Sequence, residues 1–185
     1  MKRIIAHLIR GEAGKYHEKL TADLSERFGV FPLHDRIAPH LTFKQWFELD
    51  EQGMNVLYQS LEHFANSHTQ SEYSLTGFGN FGKDVIYVDA IPSAEMSQSV
   101  LDLMHSLREI EGLTFDEFDT GSDLHATVVM GALKPFDFEQ IWNYLKTVPQ
   151  PDFKMQFDNI AVLKRTVDRW IVDRVWELQP TENTV

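Results

Sequence analysis

The stretch His40-Leu41-Thr42-Phe43 has a counterpart in His125-Ala126-Thr127-Val128, and these two stretches decide the predicted fold. Each reads histidine, apolar residue, threonine, apolar residue. Successive side chains of a β-strand point to opposite faces, so the histidine and threonine share one face and the two apolar residues share the other. Each stretch can therefore bury its apolar pair in a core and present an imidazole beside a hydroxyl to a cleft. Two such strands facing each other predict two imidazoles and two hydroxyls around one small volume.

The two stretches belong to a wider internal repeat. Their histidines are 85 positions apart, and the same offset places the amphipathic segment 16–28 on 101–113 and the strand-like segment 74–78 on 159–163. Side-chain identity between the aligned segments is low, so the repeat is one of pattern. A fixed internal period of this kind predicts a structural duplication.

The composition is that of a globular protein. A chain of 185 residues has room for one domain or for two small lobes that share a core. Its apolar fraction of 43% is ordinary for such a protein. The chain contains no run of about 18 apolar residues, so we expect no membrane-spanning helix and no membrane partner. The absence of cysteine from the sequence excludes disulfides, a thiolate nucleophile and cysteine-ligated zinc, and it favours a cytoplasmic location.

The formal net charge of −11 limits the choice of partners. A field of this sign repels a long polyanion unless a local basic patch outweighs it. The densest basic group consists of Lys164 and Arg165 with Arg169, which is too small to grip a duplex. We therefore expect a small nucleotide or an RNA terminus as the substrate and no binding of an extended nucleic-acid duplex. We also expect a monomer, although the sequence does not determine the oligomeric state.

Hydrophobic periodicity predicts a chain that mixes strands and helices. The expected strands alternate apolar and polar residues, and the expected helices carry apolar residues every three or four positions. We expect a loop at 32–39, an acidic loop at 113–123, and a C-terminal hairpin made of 153–163 and 170–178. The remaining predicted strands lie at 3–9, 40–47, 73–78, 85–91 and 124–130, and the predicted helices lie at 14–28, 51–68, 93–110 and 136–148.

The chain resembles the 2H phosphoesterase superfamily, which includes the proteins called 2′-5′ RNA ligases. Members of that family carry one motif of the form His-apolar-Thr/Ser-apolar in each half of a duplicated chain, and both stretches quoted above fit it. The flanking segments 75–81 and 160–163 also resemble the family, so the likeness covers nearly the whole chain. One departure is that neither residues 44–46 nor residues 129–131 include the additional arginine seen in some members.

This resemblance implies an α+β fold built from two pseudo-symmetric lobes. We expect residues 1–185 to form a single 2H phosphoesterase domain in which the two lobes are intertwined. Two mostly antiparallel sheets are expected to flank a central cleft, with the helices outside and the motif strands facing each other.

The resemblance also implies an activity. Family members hydrolyse 2′,3′-cyclic phosphates or 2′-5′-linked phosphodiesters without a metal, and some show reversible 2′-5′ ligation. The residues support this chemistry, because an imidazole titrates at about pH 6.5. One of His40 and His125 can accept a proton from the attacking water while its charged twin protonates the leaving ribose oxygen. Thr42 and Thr127 can donate hydrogen bonds to the nonbridging oxygens, where negative charge builds up. Either histidine can serve as the base.

Two further residues of the first motif strand are candidate substrate-binding residues. By alternation, Lys44 and Trp46 fall on the face of His40. Lys44 can add a positive charge to the cleft, and it can equally be a solvated lysine at a strand end. Trp46 can stack on a base. His7 and His17 lie outside the motifs, and we assign them no functional role.

Two other functions stay open on the same residues. A nucleotide- or RNA-end-binding module would keep the fold without catalysis, although the presence of both histidines and both threonines argues against it. A histidine-ligated metal hydrolase is disfavoured because each motif supplies one histidine, with threonine where a second ligand would be expected. We therefore expect an enzyme, a 2H-type cyclic phosphodiesterase, that uses neither a metal nor another cofactor. The sequence does not identify its physiological substrate.

Overall fold

The computed structural model describes residues 1–131 and 133–181, and it confirms the predicted α+β architecture. In these residues eight strands form two antiparallel sheets of four strands each, and five helices accompany them. None of the described helices is long and apolar enough to cross a membrane. The elements in chain order are β1 (Arg3–Leu8), α1 (Gly11–Phe28), α2 (Leu33–Arg36), β2 (His40–Phe47), α3 (Glu51–Ser67), β3 (Ser71–Phe81), β4 (Val85–Pro92), α4 (Ala94–Arg108), β5 (His125–Met130), α5 (Pro135–Leu145), β6 (Asp152–Phe157), β7 (Asn159–Arg165) and β8 (Trp170–Glu177).

The two motif strands occupy equivalent places in the two sheets. The first sheet has the strand order β2-β1-β7-β8, and the second has the order β5-β4-β3-β6. β2 and β5 are therefore edge strands, and they contact each other. Each sheet draws strands from both halves of the chain, because β7 and β8 complete the first sheet and β3 lies in the second. The division of the domain into two lobes stays a prediction.

The apolar residues of the motif strands join the main core, as strand alternation predicts. Leu41 and Phe43 of β2 and Ala126 and Val128 of β5 are buried there. The helices supply the other side of this core with apolar residues at helical spacing. The buried residues of α3 are Met54, Leu57, Leu61, Phe64 and Ala65.

The predicted C-terminal hairpin is wrong in its first half. β6 pairs with β3 in the second sheet, and only β7 pairs with β8 in the first. The chain changes sheets at Asn159, whose buried side chain accepts a hydrogen bond from the Leu8 N–H at 2.9 Å and donates one to the Leu8 carbonyl at 3.1 Å. Alternation of apolar and polar residues does not reveal a change of partner strand, which explains the error. The predicted loop 32–39 also differs, because it contains the short helix α2.

A buried histidine links the two sheets. The side chain of His7 is 1% exposed. Its Nδ1 donates to the Asn159 carbonyl at 3.0 Å, and its Nε2 accepts from the Tyr73 hydroxyl at 2.9 Å. A carbonyl oxygen only accepts hydrogen bonds, so Nδ1 carries the proton and the ring is neutral. Burial lowers the pKa of His7 to about 4.

We predict that His7 makes the protein less stable as the pH falls below 7. The unfolded chain binds the proton near its ordinary pKa and the folded chain only near pH 4, so the unfolded state holds more protons between these values. Lowering the pH from 7 to 5 should therefore remove about 2 kcal/mol of the free energy of unfolding through this group. Urea unfolding at both pH values checks this against His7→Asn, which keeps a donor but does not titrate. Equal losses in the two proteins would contradict the prediction.

Candidate active site

The motif strands bring their polar side chains to one cavity. The cavity has a volume of about 510 Å³, and Thr42, His125 and Thr127 lie in its wall. In β1, Leu8 lies opposite His40 and Ala6 lies opposite Thr42. Residues two apart in a regularly paired strand share a face, so His40 is on the same face of β2 as Thr42. His40 is also close enough to His125 for a charge on that ring to act on it. Three of the four motif residues thus line one cavity, and the fourth, His40, lies on the strand face that it shares with Thr42.

Both motif imidazoles are held in the same way. The Nδ1 of His40 donates to the Ala38 carbonyl at 2.8 Å, and the Nδ1 of His125 donates to the Asp123 carbonyl at 2.7 Å. In each case the acceptor lies two residues before the histidine. Because a carbonyl cannot donate, the proton of the neutral ring is on Nδ1. Nε2 is therefore the nitrogen that is left to exchange a proton with a ligand.

The surroundings of His40 are apolar. Leu8 and Ala6 are the cross-strand neighbours of His40 and Thr42, and both are buried. Burial lowers the pKa of His40 to about 4, and a charge on His17 or His125 lowers it further. His40 is therefore neutral at neutral pH in the free protein.

The surroundings of His125 are aromatic and acidic. Its cross-strand neighbour is Asp89, and that of Thr127 is Tyr87. The His125 ring lies 4.9 Å from the ring of Tyr87 and 4.9 Å from that of Phe81, measured between centroids. Sequence reasoning gave none of these three residues a role. Tyr87 and Asp89 could have been found from the register of β4 against β5, but a single sequence does not fix that register.

A glycine makes room for the ring beside His125. Gly79 is the cross-strand neighbour of Tyr87 on the other side, and a Cβ at Gly79 would overlap the Tyr87 ring. The ring therefore lies across the β3 backbone, and any side chain at position 79 would displace it. Gly79 has no left-handed φ, so the close approach of the ring is the reason for a glycine here.

Lys44 does not share the face of His40, and that prediction is wrong. The pairing of β2 with β1 passes from Thr42 opposite Ala6 to Lys44 opposite Ile5, which is a β-bulge with one extra residue in β2. The bulge turns Lys44 into the protein, where it is 2% exposed and its Nζ lies 2.7 Å from the Asp119 carboxylate. A bulge has no clear signature in a single sequence, so strict alternation assigned Lys44 to the wrong face.

The bulge also changes which residues of β2 reach the cavity. Gln45 lines it in place of Lys44. Trp46 was expected on the face of His40, but it lies outside the residues that line the cavity. Its side chain is 58% exposed, and Lys2 Nζ lies 3.6 Å from the centre of its ring. The structure therefore does not bring Trp46 to the candidate site.

The acidic loop 113–123 forms one wall of the cavity. Its buried carboxylate, Asp119, accepts from Lys44 Nζ, from the Gln45 N–H at 2.9 Å and from the Asp116 N–H at 3.0 Å. This anchoring places Glu117 and Asp123 at the cavity. In the described part of the chain no three histidine, aspartate or glutamate side chains are grouped in a way that could hold a metal ion.

An apolar patch completes the wall, and sequence reasoning missed it. Phe81, Phe118 and Met130 line the cavity although their side chains are 44%, 68% and 48% exposed. Exposed large apolar side chains that line one cavity are typical of a binding surface. They come from a strand end, a loop and a second strand end, so no local pattern in the sequence connects them.

A third histidine supports the second motif strand. His17 of α1 is 7% exposed, and its Nε2 donates to the Thr127 carbonyl at 2.8 Å. Burial lowers the pKa of His17, so this ring is neutral too. The bond ties a helix to the backbone of the cavity wall. A histidine among polar neighbours in a helix gave no signal for this contact.

Comparisons with known proteins bear on the fold. A model of the 2'-5' RNA ligase superfamily matches residues 13–169. The curated proteins contain no match. Among solved structures, TT0787 of Thermus thermophilus is 16% identical, with a TM-score of 0.67 over 98% of this chain and 100% of that chain. E. coli LigT complexed with 3'-AMP is 14% identical, with a TM-score of 0.63 over 96% of this chain and 97% of that chain. At such identities the structural likeness establishes the fold alone.

We predict that Gly79 and Tyr87 are energetically coupled. Gly79→Ala should lower the free energy of unfolding by about 1–3 kcal/mol, because the new methyl group overlaps the Tyr87 ring. In a Tyr87→Ala background the same substitution should cost almost nothing, since the ring is gone. Urea unfolding of the four proteins measures this coupling, and NMR of the His125 ring reports whether its environment changes with Gly79→Ala. Additive losses would rule out the contact.

Proposed function

Because the chain belongs to the 2′-5′ RNA ligase superfamily, we propose that it is a metal-independent phosphodiesterase of the 2H type. Its substrate is the 2′,3′-cyclic phosphate or 2′-5′-linked phosphodiester of a small nucleotide or an RNA end. The observation that carries this proposal is the pair of matched imidazoles, each with Nδ1 held by a backbone carbonyl and each on the strand face that it shares with a threonine. In 2′-5′ ligation a ribose 5′-hydroxyl takes the place of water: its oxygen bonds to phosphorus as the cyclic ester bond breaks, and the reverse step restores the cyclic phosphate.

In the proposed reaction His40 is the base and His125 is the acid. The water oxygen bonds to phosphorus while the bond from phosphorus to the ribose oxygen breaks. His40 Nε2 takes the proton of the water, because His40 is the ring that apolar burial keeps neutral. His125 gives its Nε2 proton to the departing ribose oxygen and is recharged from solvent. Each proton transfer typically contributes ~10²–10⁴-fold to the rate.

The threonines and the apolar patch have separate tasks in this proposal. Thr42 and Thr127 donate their hydroxyl protons to the nonbridging oxygens, whose charge grows as the water attacks. Phe81, Phe118 and Met130 offer an apolar surface to the nucleoside. The complex of E. coli LigT with 3'-AMP supports a ligand of nucleotide size for a fold of this kind.

We predict that the two histidines act as a unit. His40→Ala and His125→Ala should each lower the turnover of a 2′,3′-cyclic nucleotide by ~10²–10⁴-fold, and the double variant should be little worse than either. Thr42→Val and Thr127→Val should cost less, about 10–10²-fold, because each removes one hydrogen bond and leaves proton transfer intact. Turnover is measured with EDTA present, with product identification.

The controls separate loss of chemistry from loss of fold. Each variant is compared with wild type by circular dichroism and by its urea midpoint. A folded histidine variant that keeps a near-normal rate would overturn the paired assignment. Nucleotide binding without turnover in wild type would favour the non-catalytic module, and loss of turnover in EDTA would favour a metal hydrolase.

We predict that the fall of kcat/KM at low pH, which reports protonation of the base, lies below the ordinary pKa of a histidine. The base must be neutral, so kcat/KM falls as the pH drops through the pKa of His40 in the free enzyme. With that pKa near 4, protonation of His40 should cause no fall in kcat/KM between pH 7 and pH 5.5. Initial rates across this range, with activity recovered on return to pH 7, measure this pH dependence. A tenfold fall by pH 5.5 in a protein that stays folded would contradict the assignment of His40.

A further inference from the structure

The residues that line the candidate cavity, all of them in the described part of the chain, include no lysine or arginine. Lys44 lies between two lining residues in the sequence but does not line the cavity itself. Its charge is buried against Asp119, on the face of β2 opposite to that of Thr42. The carboxylates of Glu117 and Asp123 line the wall instead. This balance is unusual for a site that receives an anion, because phosphate is commonly met by lysine or arginine.

One position that the two motif strands have in common is also without lysine or arginine. Gln45 and Met130 each lie five residues after the histidine of their motif strand, and both line the cavity. Each is where its own strand could present a long cationic side chain to the ligand. One is a neutral amide and the other is an exposed apolar side chain, so neither adds positive charge.

The side chains around the cavity offer an anionic ligand at most one positive charge. His40 is neutral in the free protein, so the positive charge of the cavity comes at most from His125. Asp89 opposite His125 adds a third carboxylate on that side. A second phosphate charge near the reacting one meets no lysine or arginine in the cavity wall and is repelled by these carboxylates, at an energy that falls with distance and with salt.

We propose that Glu117 and Asp123 make the cleft selective for a singly charged phosphodiester, that is, for a mononucleoside 2′,3′-cyclic phosphate without a 5′-phosphate. This inference rests on the proposed function and narrows its substrate class. The cyclic phosphate sits between the two histidines with its single charge, and the uncharged nucleoside lies on the apolar patch. An RNA end or a 5′-phosphorylated nucleotide brings a further negative charge into an acidic surrounding.

The test compares 2′,3′-cyclic AMP with the same nucleotide carrying a 5′-phosphate. Wild type should favour the unphosphorylated substrate by at least about tenfold in kcat/KM at low salt, and the preference should shrink as salt screens the repulsion. The double variant Glu117→Gln/Asp123→Asn should narrow the preference several-fold, and Met130→Arg should narrow it further. The matched control is Glu26→Gln/Glu62→Gln, which makes the same change of net charge on exposed helical positions away from the cavity.

The outcomes separate the inference from the function beneath it. Equal hydrolysis of both substrates by wild type would overturn the selectivity and leave the phosphodiesterase intact. A preference that the control variant narrows as much as Glu117→Gln/Asp123→Asn would overturn the assignment to these two carboxylates. Hydrolysis of neither substrate by folded wild type would overturn the proposed activity on 2′,3′-cyclic phosphates, and the inference would fall with it.

Discussion

A hydrogen bond from Nδ1 of each motif histidine to a carbonyl two residues earlier sets the chemistry of the cleft. The bond works only if the backbone before each motif strand is fixed. Before β2, the Pro39 carbonyl accepts from the Ile9 N–H at 2.9 Å. Before β5, Asp119 holds the loop, and its main partner is Lys44 of β2. A buried ion pair contributes little net stability, so its value here is the geometry it imposes. The first motif strand thereby helps to place the histidine of the second.

The two halves of the site are alike in backbone and different in neighbours. Where β1 pairs with β2, His40 lies opposite the apolar Leu8. Where β4 pairs with β5, His125 lies opposite the carboxylate of Asp89. A duplicated scaffold alone would supply two imidazoles in like surroundings, and nothing would then decide which of them takes a proton and which gives one in the proposed reaction. The strands beside the motifs create that difference, while the motifs themselves remain the same.

The motif strands, their buried faces and the α+β class could be predicted from the sequence, because strand alternation and helical periodicity depend on a few neighbouring residues. Contacts between distant segments could not. The bulge that turns Lys44 inward depends on pairing with β1, and the change of sheet at Asn159 depends on contacts with Leu8. Phe118 lies at the cavity in the loop that Asp119 anchors to β2. None of these features leaves a local periodic trace, so one sequence without its partners in space does not reveal them.

Each sheet contains strands from both halves of the chain, and this limits how early the site can form during synthesis. β1 lies between β2 and β7, so the first sheet stays incomplete until the ribosome has released the segment that begins at Asn159. A nascent chain that ends after β5 already contains all four motif residues, yet the contact of His7 with Asn159, across 152 positions, has no partner to form. Such distant pairings make folding slow. The first sheet can therefore be complete only after most of the chain has been translated, and until then the backbone N–H and C=O groups of β1 that pair with β7 lack these partners.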